Sequence, residues 1–201
     1  MPDERSQPLR EQDVREDPLE LFRDWYERAR ADEEKASLMS LATASADGRP
    51  SLRMVQLEGV DRNGFVFYTG YESRKGRELE ENPQAALCFY WHGSGHQVRV
   101  EGSVERASLD ADEAAAAARA AASTDARQSE SVEDQADLEA RVAELRARYG
   151  AGAPPLPEDW GAYRLVPDAY EFWQYREDKL HDRFRYRLEA EGSWEIERLF
   201  P

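Results

Sequence analysis

Apolar positions recur along this chain with two different periods. Between Leu19 and Ala29 they fall three or four residues apart, at Leu19, Phe22, Trp25, Tyr26 and Ala29, the stripe of an amphipathic helix. Asp17 as N-cap, Pro18 at the first helical position and Glu20 in a capping box mark its start. From Ser37 the period shortens to two. The stretches SLMSLATAS and PSLRMVQLEGV are strands around a hairpin turn at Ala46-Asp47-Gly48. A second turn, Asp61 to Gly64, leads into FVFYTG, and Ser73 caps a short helix that ends near Asn82-Pro83. AALCFYWH is a further strand. From Gln97 to Glu105 polar residues alternate with Val98, Val100, Gly102 and Val104.

Residues 109–123 are alanine-rich and helical by propensity. A second helix follows from about Ser131, with Leu138, Val142, Leu145 and Tyr149 as its stripe and Gly150 beyond its end. A proline-rich connector separates it from four closing strands, AYRLV, AYEFWQY, DRFRYRL and SWEIERL. Many short strands with helices outside predict a mainly β (α+β) chain, closed or nearly closed into a barrel. Residues 17–201 are expected to form one domain behind a flexible arm over 1–16.

The net charge of −15 over 201 residues argues against nucleic acid or an anionic membrane as partner. The polar N-terminus carries no apolar run, so the expected location is cytoplasmic. Cys88 is the only cysteine, which excludes an internal disulfide and a cysteine zinc site. His92, His96 and His181 lack the spacing of a metal motif, and no metal is expected. In so acidic a chain, an anion needs a local cluster of cations.

Two stretches supply such clusters. In EFWQYREDKLHDR, alternation puts Lys179, His181 and Arg183 on one edge of an extended segment with Trp173 nearby. That set suits an anionic, planar ligand; an aromatic core strand followed by a solvated turn is the plainer reading. Ser73-Arg74-Lys75 sets two cations at a helix start, a phosphate cradle or simply an exposed first turn. Arg53 in its strand is a surface residue or a donor to an electron-poor ring. The Gln97 amide can donate and accept toward a heterocycle edge. Gln128-Ser129 is a polar pair between helices.

Taken in order, the stretches SLATASADGRPSLRMV, GFVFYTGYESRKGRELEENP, HQVRVEGSVER, Arg127-Gln128-Ser129, EDWGAYRLVPDAYEFWQ and KLHDRFRYRLEAEGSWEIERLFP resemble the pyridoxamine 5′-phosphate oxidase family. The resemblance runs from about Asp17 to Pro201. It implies a split β-barrel of the FMN-binding type with peripheral helices, and a homodimer with FMN at the subunit interface. It assigns FMN to Arg53, Met54, Val55, Gln56, Tyr68, Thr69, Arg74, Lys75, Gln97, Gln128, Ser129, Trp173 and Arg183. It assigns the substrate, a phosphorylated pyridine or related ring, to Glu58, Arg119, Ser123, Lys179 and His181. Lys179 and His181 stand at the catalytic positions, and oxygen is the acceptor.

On the substrate side the sequence departs from the family. Glu58 stands where a phosphate-binding Lys is usual, and Ala115 where a Tyr is usual. Thr124-Asp125-Ala126 replaces a longer stretch, and Lys179 replaces an Arg. The N-terminal Arg-x-x-Tyr substrate segment has no counterpart. The expected reaction is oxidation of the substrate C4′ to give pyridoxal 5′-phosphate and hydrogen peroxide. Two alternatives stay open: a phenazine-biosynthesis-like oxidase of another ring, and a flavin-binding protein without efficient turnover.

Overall fold

The computed structural model describes residues 8–124, 134–149 and 155–201. Its described elements are α1 (Pro18–Asp32), β1 (Leu38–Ala44), β2 (Pro50–Gln56), β3 (Gly59–Asp61), β4 (Gly64–Gly70), α2 (Arg74–Glu81), β5 (Gln84–Trp91), β6 (His96–Ala107), α3 (Ala111–Thr124), α4 (Gln135–Tyr149), β7 (Trp160–Gln174), β8 (Asp182–Leu188) and β9 (Trp194–Arg198). Asp17 caps α1 by accepting the Leu19 N–H at 2.9 Å. The helix buries the expected stripe, and Phe22 meets Phe65 and Phe89 at ring distances of 4.8 and 5.1 Å. Helix α4 starts later than the sequence suggests, because the Asp134 carboxylate accepts the Asp137 N–H at 2.9 Å. The side chains of Leu138, Val142, Leu145 and Tyr149, and all of Gly150, lie outside the described residues.

All strand pairs are antiparallel. Hydrogen bonding runs β2-β1-β5-β6-β7-β4-β3, and β8 and β9 continue from β7. The barrel is therefore split, and its hydrogen-bonded path is not closed. AYRLV and AYEFWQY, expected as two strands, form the single strand β7. Its first half pairs with β4 and its second half with β8. The change falls at a register shift between Glu101 and Gly102, opposite Pro167. Proline lacks the N–H for a regular ladder, and Gly102 leaves no room for a Cβ against the Val166 carbonyl.

The alternation in β6 holds: Val98, Val100 and Val104 are buried. Across the sheet they join Met39, Leu41 and Leu87 in one core. Residues 8–16 are not a loose arm. Leu9 is buried in the core, and the Arg15 carbonyl accepts the Tyr186 hydroxyl at 2.8 Å. Polar composition hides this docking, because the residues that grip the segment lie at the far end of the chain. Among the described residues no helix is long and apolar enough to cross a membrane, and no side-chain cluster suits a metal ion.

Candidate active site

The first group of site residues gathers at the start of α2. Ser73 caps the helix, its hydroxyl accepting the Gly76 N–H at 3.2 Å. Gly76 leaves no room for a Cβ against the Tyr71 carbonyl, so the first turn presses on the end of β4. Thr69, fully buried, sits with its hydroxyl 3.4 Å from that of Ser73. Arg53 reaches in from β2. Its Nη1 donates to the Leu41 carbonyl at 3.1 Å and to Thr43 Oγ1 at 2.7 Å. Its Nη2 donates to the Ser51 hydroxyl and to Glu78 Oε2, the latter at 3.2 Å. Arg74 Nε donates to Glu78 Oε1 at 2.8 Å.

Glu78 is the hub of this group. Burial alone would raise its carboxyl pKa. Hydrogen bonds from Ser51, Thr43, Arg74 and Arg53 outweigh burial and hold it at about 2. Lys75 shows the opposite stress. Burial first, and the Arg53 charge second, push its ammonium down to about 8. Three cations thus crowd a helix N-terminus around one fixed carboxylate. An oxyanion bound there would relieve the crowding and meet the positive end of the helix dipole. The residues present suit a phosphate group.

The second group is a row across three strands. Gln97 of β6 lies opposite Trp173 of β7, and Trp173 lies opposite Arg183 of β8. Directly opposed residues point to the same face, so the three side chains line up. Glu171 steadies Arg183, accepting from Nη2 at 3.0 Å and Nε at 3.2 Å. The Phe200 carbonyl accepts from Arg183 Nη1 at 3.0 Å. The row continues into the hairpin loop, where the His181 ring lies 4.7 Å from Trp173 and 5.3 Å from Tyr175. His181 Nδ1 accepts the Arg176 N–H at 3.0 Å. A neutral imidazole so held carries its proton on Nε2.

Lys179 departs from the expected alignment. It has a φ of 65° in a turn, a left-handed conformation that breaks the alternation with His181 and Arg183. Its Nζ lies 5.6 Å from the Tyr175 ring centroid instead. Lys179 is exposed in this turn, while Trp173 and Arg183 stay directly paired.

The remaining expected residues are spread more widely. On β2, Met54 and Gln56 are exposed, and Val55 packs half-buried on the core. Gln56 and Glu58 share a pocket of about 460 Å³ with Tyr26 and Arg30. Partial burial there raises the Glu58 carboxyl pKa. Burial also raises that of the Tyr68 phenol, and the negative charges of Glu58, Glu113 and Asp110 add to it. Tyr68 thus stands in an acidic field. Arg119 is exposed on α3, which also carries Ser123. Gln128 and Ser129 lie outside the described residues.

The two groups lie on opposite faces of the sheet. Arg53 pairs with Leu41, which continues through Leu87 to Val100 on the core face. Gln97 alternates with those valines and shares the outer face with Arg99, Cys88 and Ser40. Sequence reasoning passed over Glu78 and Glu171, the two carboxylates that fix the site arginines. The only local signal was the spacing of four between Arg74 and Glu78 on one helix.

Comparison with known proteins gives the family and the fold. Residues 26–149 match the family model described as pyridoxamine 5′-phosphate oxidase. Residues 160–201 match the pyridoxine 5′-phosphate oxidase C-terminal dimerisation region. The chain is 48% identical over 198 residues to a pyridoxine/pyridoxamine 5′-phosphate oxidase of Cupriavidus pinatubonensis, covering 96% of this chain and 93% of that one. It is 47% identical to the corresponding protein of Bordetella petrii, over 92% and 89% of the two chains. Among solved structures, PhzG from Burkholderia lata, in complex with tetrahydrophenazine-1-carboxylic acid, superposes with a TM-score of 0.85 at 32% identity, covering 98% and 99%. An FMN-binding protein of Nostoc punctiforme shares the fold, with a TM-score of 0.68 at 18% identity, over 94% of this chain and 100% of that one. With two family models spanning most of its length and close relatives over nearly all of it, the chain belongs to the pyridoxamine 5′-phosphate oxidase family.

Proposed function

We propose that this chain is an FMN-dependent oxidase of pyridoxine or pyridoxamine 5′-phosphate, working as a homodimer with oxygen as acceptor. The observation that carries the reading is the placement of two complementary half-sites on opposite faces of one sheet. In this reading a phosphate cradle of Arg53, Arg74 and Lys75 in one copy would be completed by the row of Gln97, Trp173 and Arg183 in the other. The row lies on the outer face, and two of its members fall within the matched dimerisation region.

In this reading Arg74, Lys75 and the first N–H groups of α2 hold the cofactor phosphate. Thr69 and Tyr68 flank it, and Met54, Val55, Gln56, Gln128 and Ser129 complete the cofactor set carried over from the family. The chemistry supplied by bound FMN is hydride acceptance from the substrate C4′ and electron delivery to oxygen, giving hydrogen peroxide. Arg183, held by Glu171, would offer a cation to the flavin ring. His181 presents Nε2–H beside the Trp173 ring and orients the substrate, with Lys179 at the mouth of the loop. Arg119 and Ser123 of α3 are the residues the family resemblance offers to the substrate phosphate.

The acidic field around Tyr68 favours a second reading. Glu58, Glu113 and Asp110 oppose a dianionic phosphate, which suits a ring substrate without one, as in the phenazine branch. Anaerobic mixing decides between the readings by flavin bleaching. Bleaching by pyridoxamine 5′-phosphate, with peroxide on admitting air, supports the first. Bleaching only by a reduced phenazine precursor supports the second. No bleaching by either leaves a flavin-binding protein without turnover.

A further inference from the structure

We propose that Asp182 is a positioning residue, and that the N-terminal segment 8–14 is a working part of the active site through it. Asp182 is only 5% exposed, and a buried carboxylate needs partners. It has three, from three separate parts of the chain. The Leu9 N–H donates to Oδ2 at 3.1 Å. Arg198 Nη1 of β9 donates to Oδ1 at 2.8 Å. Arg176 Nη1, from the loop between β7 and β8, stands 3.5 Å from Oδ2.

Leu9 is gripped on both sides, since its carbonyl accepts Arg198 Nη2 at 2.9 Å. Arg198 also pairs with Glu11 at 2.7 Å. The segment therefore docks through the Leu9 backbone and through Glu11, which opens a short 3-10 turn over Glu11–Asp13. Arg176 carries the contact onward. Its guanidinium pairs with Asp178 at 2.6 Å and faces Asp182, and its backbone N–H fixes His181 Nδ1. Leu9, Asp182, Arg176 and His181 form one chain of polar contacts. Asp182 itself stands between His181 and Arg183 in sequence. Removing the Leu9 N–H leaves Oδ2 with Arg176 alone and releases the loop to shift. The His181 ring then loses its fixed Nδ1 acceptor geometry and samples both tautomers.

This inference rests on the assignment of His181 to the substrate. Two full-length variants test it. Asp182→Asn keeps the shape and removes the charge, while Leu9→Pro removes one N–H and keeps an apolar side chain. Long-range proton–nitrogen correlation reads the tautomer of His181, with His92 and His96 as internal references, at a pH where imidazoles are neutral. Wild type is expected to show Nε2–H alone. Both variants are expected to show mixed tautomers, and a kcat about tenfold lower with KM changed less than about twofold. If one variant fails to fold, the other decides. His181 held as Nε2–H with kcat unchanged would overturn the proposal, however far the melting temperature falls. Mixed tautomers with kcat unchanged would support the clamp and remove His181 from the oxidase reading instead.

Discussion

Arg53 and Glu78 form an ion pair at 3.2 Å across two elements, β2 and α2. The same carboxylate takes Arg74 at 2.8 Å, so one buried anion sets the spacing of two guanidiniums. Glu78→Ala is expected to lower stability by about 2–4 kcal/mol, because Arg53 is left partly buried without its counter-charge. Urea unfolding of variant and wild type measures the loss. A change below about 0.5 kcal/mol would show that the arginines do not depend on it.

Replacing Arg74 and Lys75 together with Ala should strip FMN during purification. The phosphate would keep the N–H groups of α2 but lose both charges beside them. The ratio of flavin to protein absorbance reads occupancy. Wild-type occupancy in the double variant would overturn the phosphate assignment.

FMN affinity should weaken as pH rises through about 8. Burial and the Arg53 charge push Lys75 down to about 8, so above that value the free protein holds it neutral. A dianion binds the charged form, and binding must then take up a proton. The Kd is expected to rise by up to about tenfold per pH unit in that range. Lys75→Arg, always charged, should flatten the profile. A wild-type Kd that is level across pH 8 contradicts this.

Glu58→Lys should tighten pyridoxamine 5′-phosphate binding. Its carboxyl is partly buried in the pocket beside Tyr26 and contributes to the negative field on Tyr68. Reversing the charge is worth on the order of 1–3 kcal/mol, about ten- to a hundredfold in Kd. FMN occupancy should hardly change. Equal substrate Kd values for the two proteins at matched ionic strength would place the phosphate away from Glu58.

Acid should destabilise the fold through His96. The ring stacks on Trp25 at 3.9 Å. Burial, with the Arg28 charge, pushes its pKa from 6.5 to about 4 against the opposing Gln174 hydrogen bond. The folded value is depressed, so the unfolded chain takes the proton first. Stability is full above pH 6.5 and is lost as pH falls to about 4, by about 3 kcal/mol in total. The difference between wild type and His96→Gln, measured by urea unfolding across that window, should follow this slope. A flat difference curve rules His96 out as the acid sensor.

Much of this was legible in the sequence where the signal is local. The alternation from Gln97 to Glu105, the Ser73 cap and the α1 stripe each depend on neighbours a few residues apart. Strand β7 was read as two strands; a register shift at Glu101/Gly102 lets one strand run past Pro167. Lys179 was misaligned because periodicity says nothing of a left-handed turn. Glu78 and Asp182 escaped notice for a different reason: their partners, such as Thr43 and Leu9, are distant in sequence. The motif order named the site candidates. Only the strand order showed that Arg53 and Gln97 face opposite ways.

The row of Gln97, Trp173 and Arg183 has a consequence for how errors in folding are caught. Each member is flanked on its strand by a core residue, Val98, Phe172 and Phe184, and those three are also direct partners. A slip of one residue in either pairing would turn Phe172 or Phe184 to the outer face and drive Trp173 or Arg183 inward. The core therefore proofreads the site. A chain that has packed its aromatic residues correctly has also aligned the row of Gln97, Trp173 and Arg183, and a slipped register would cost it core burial.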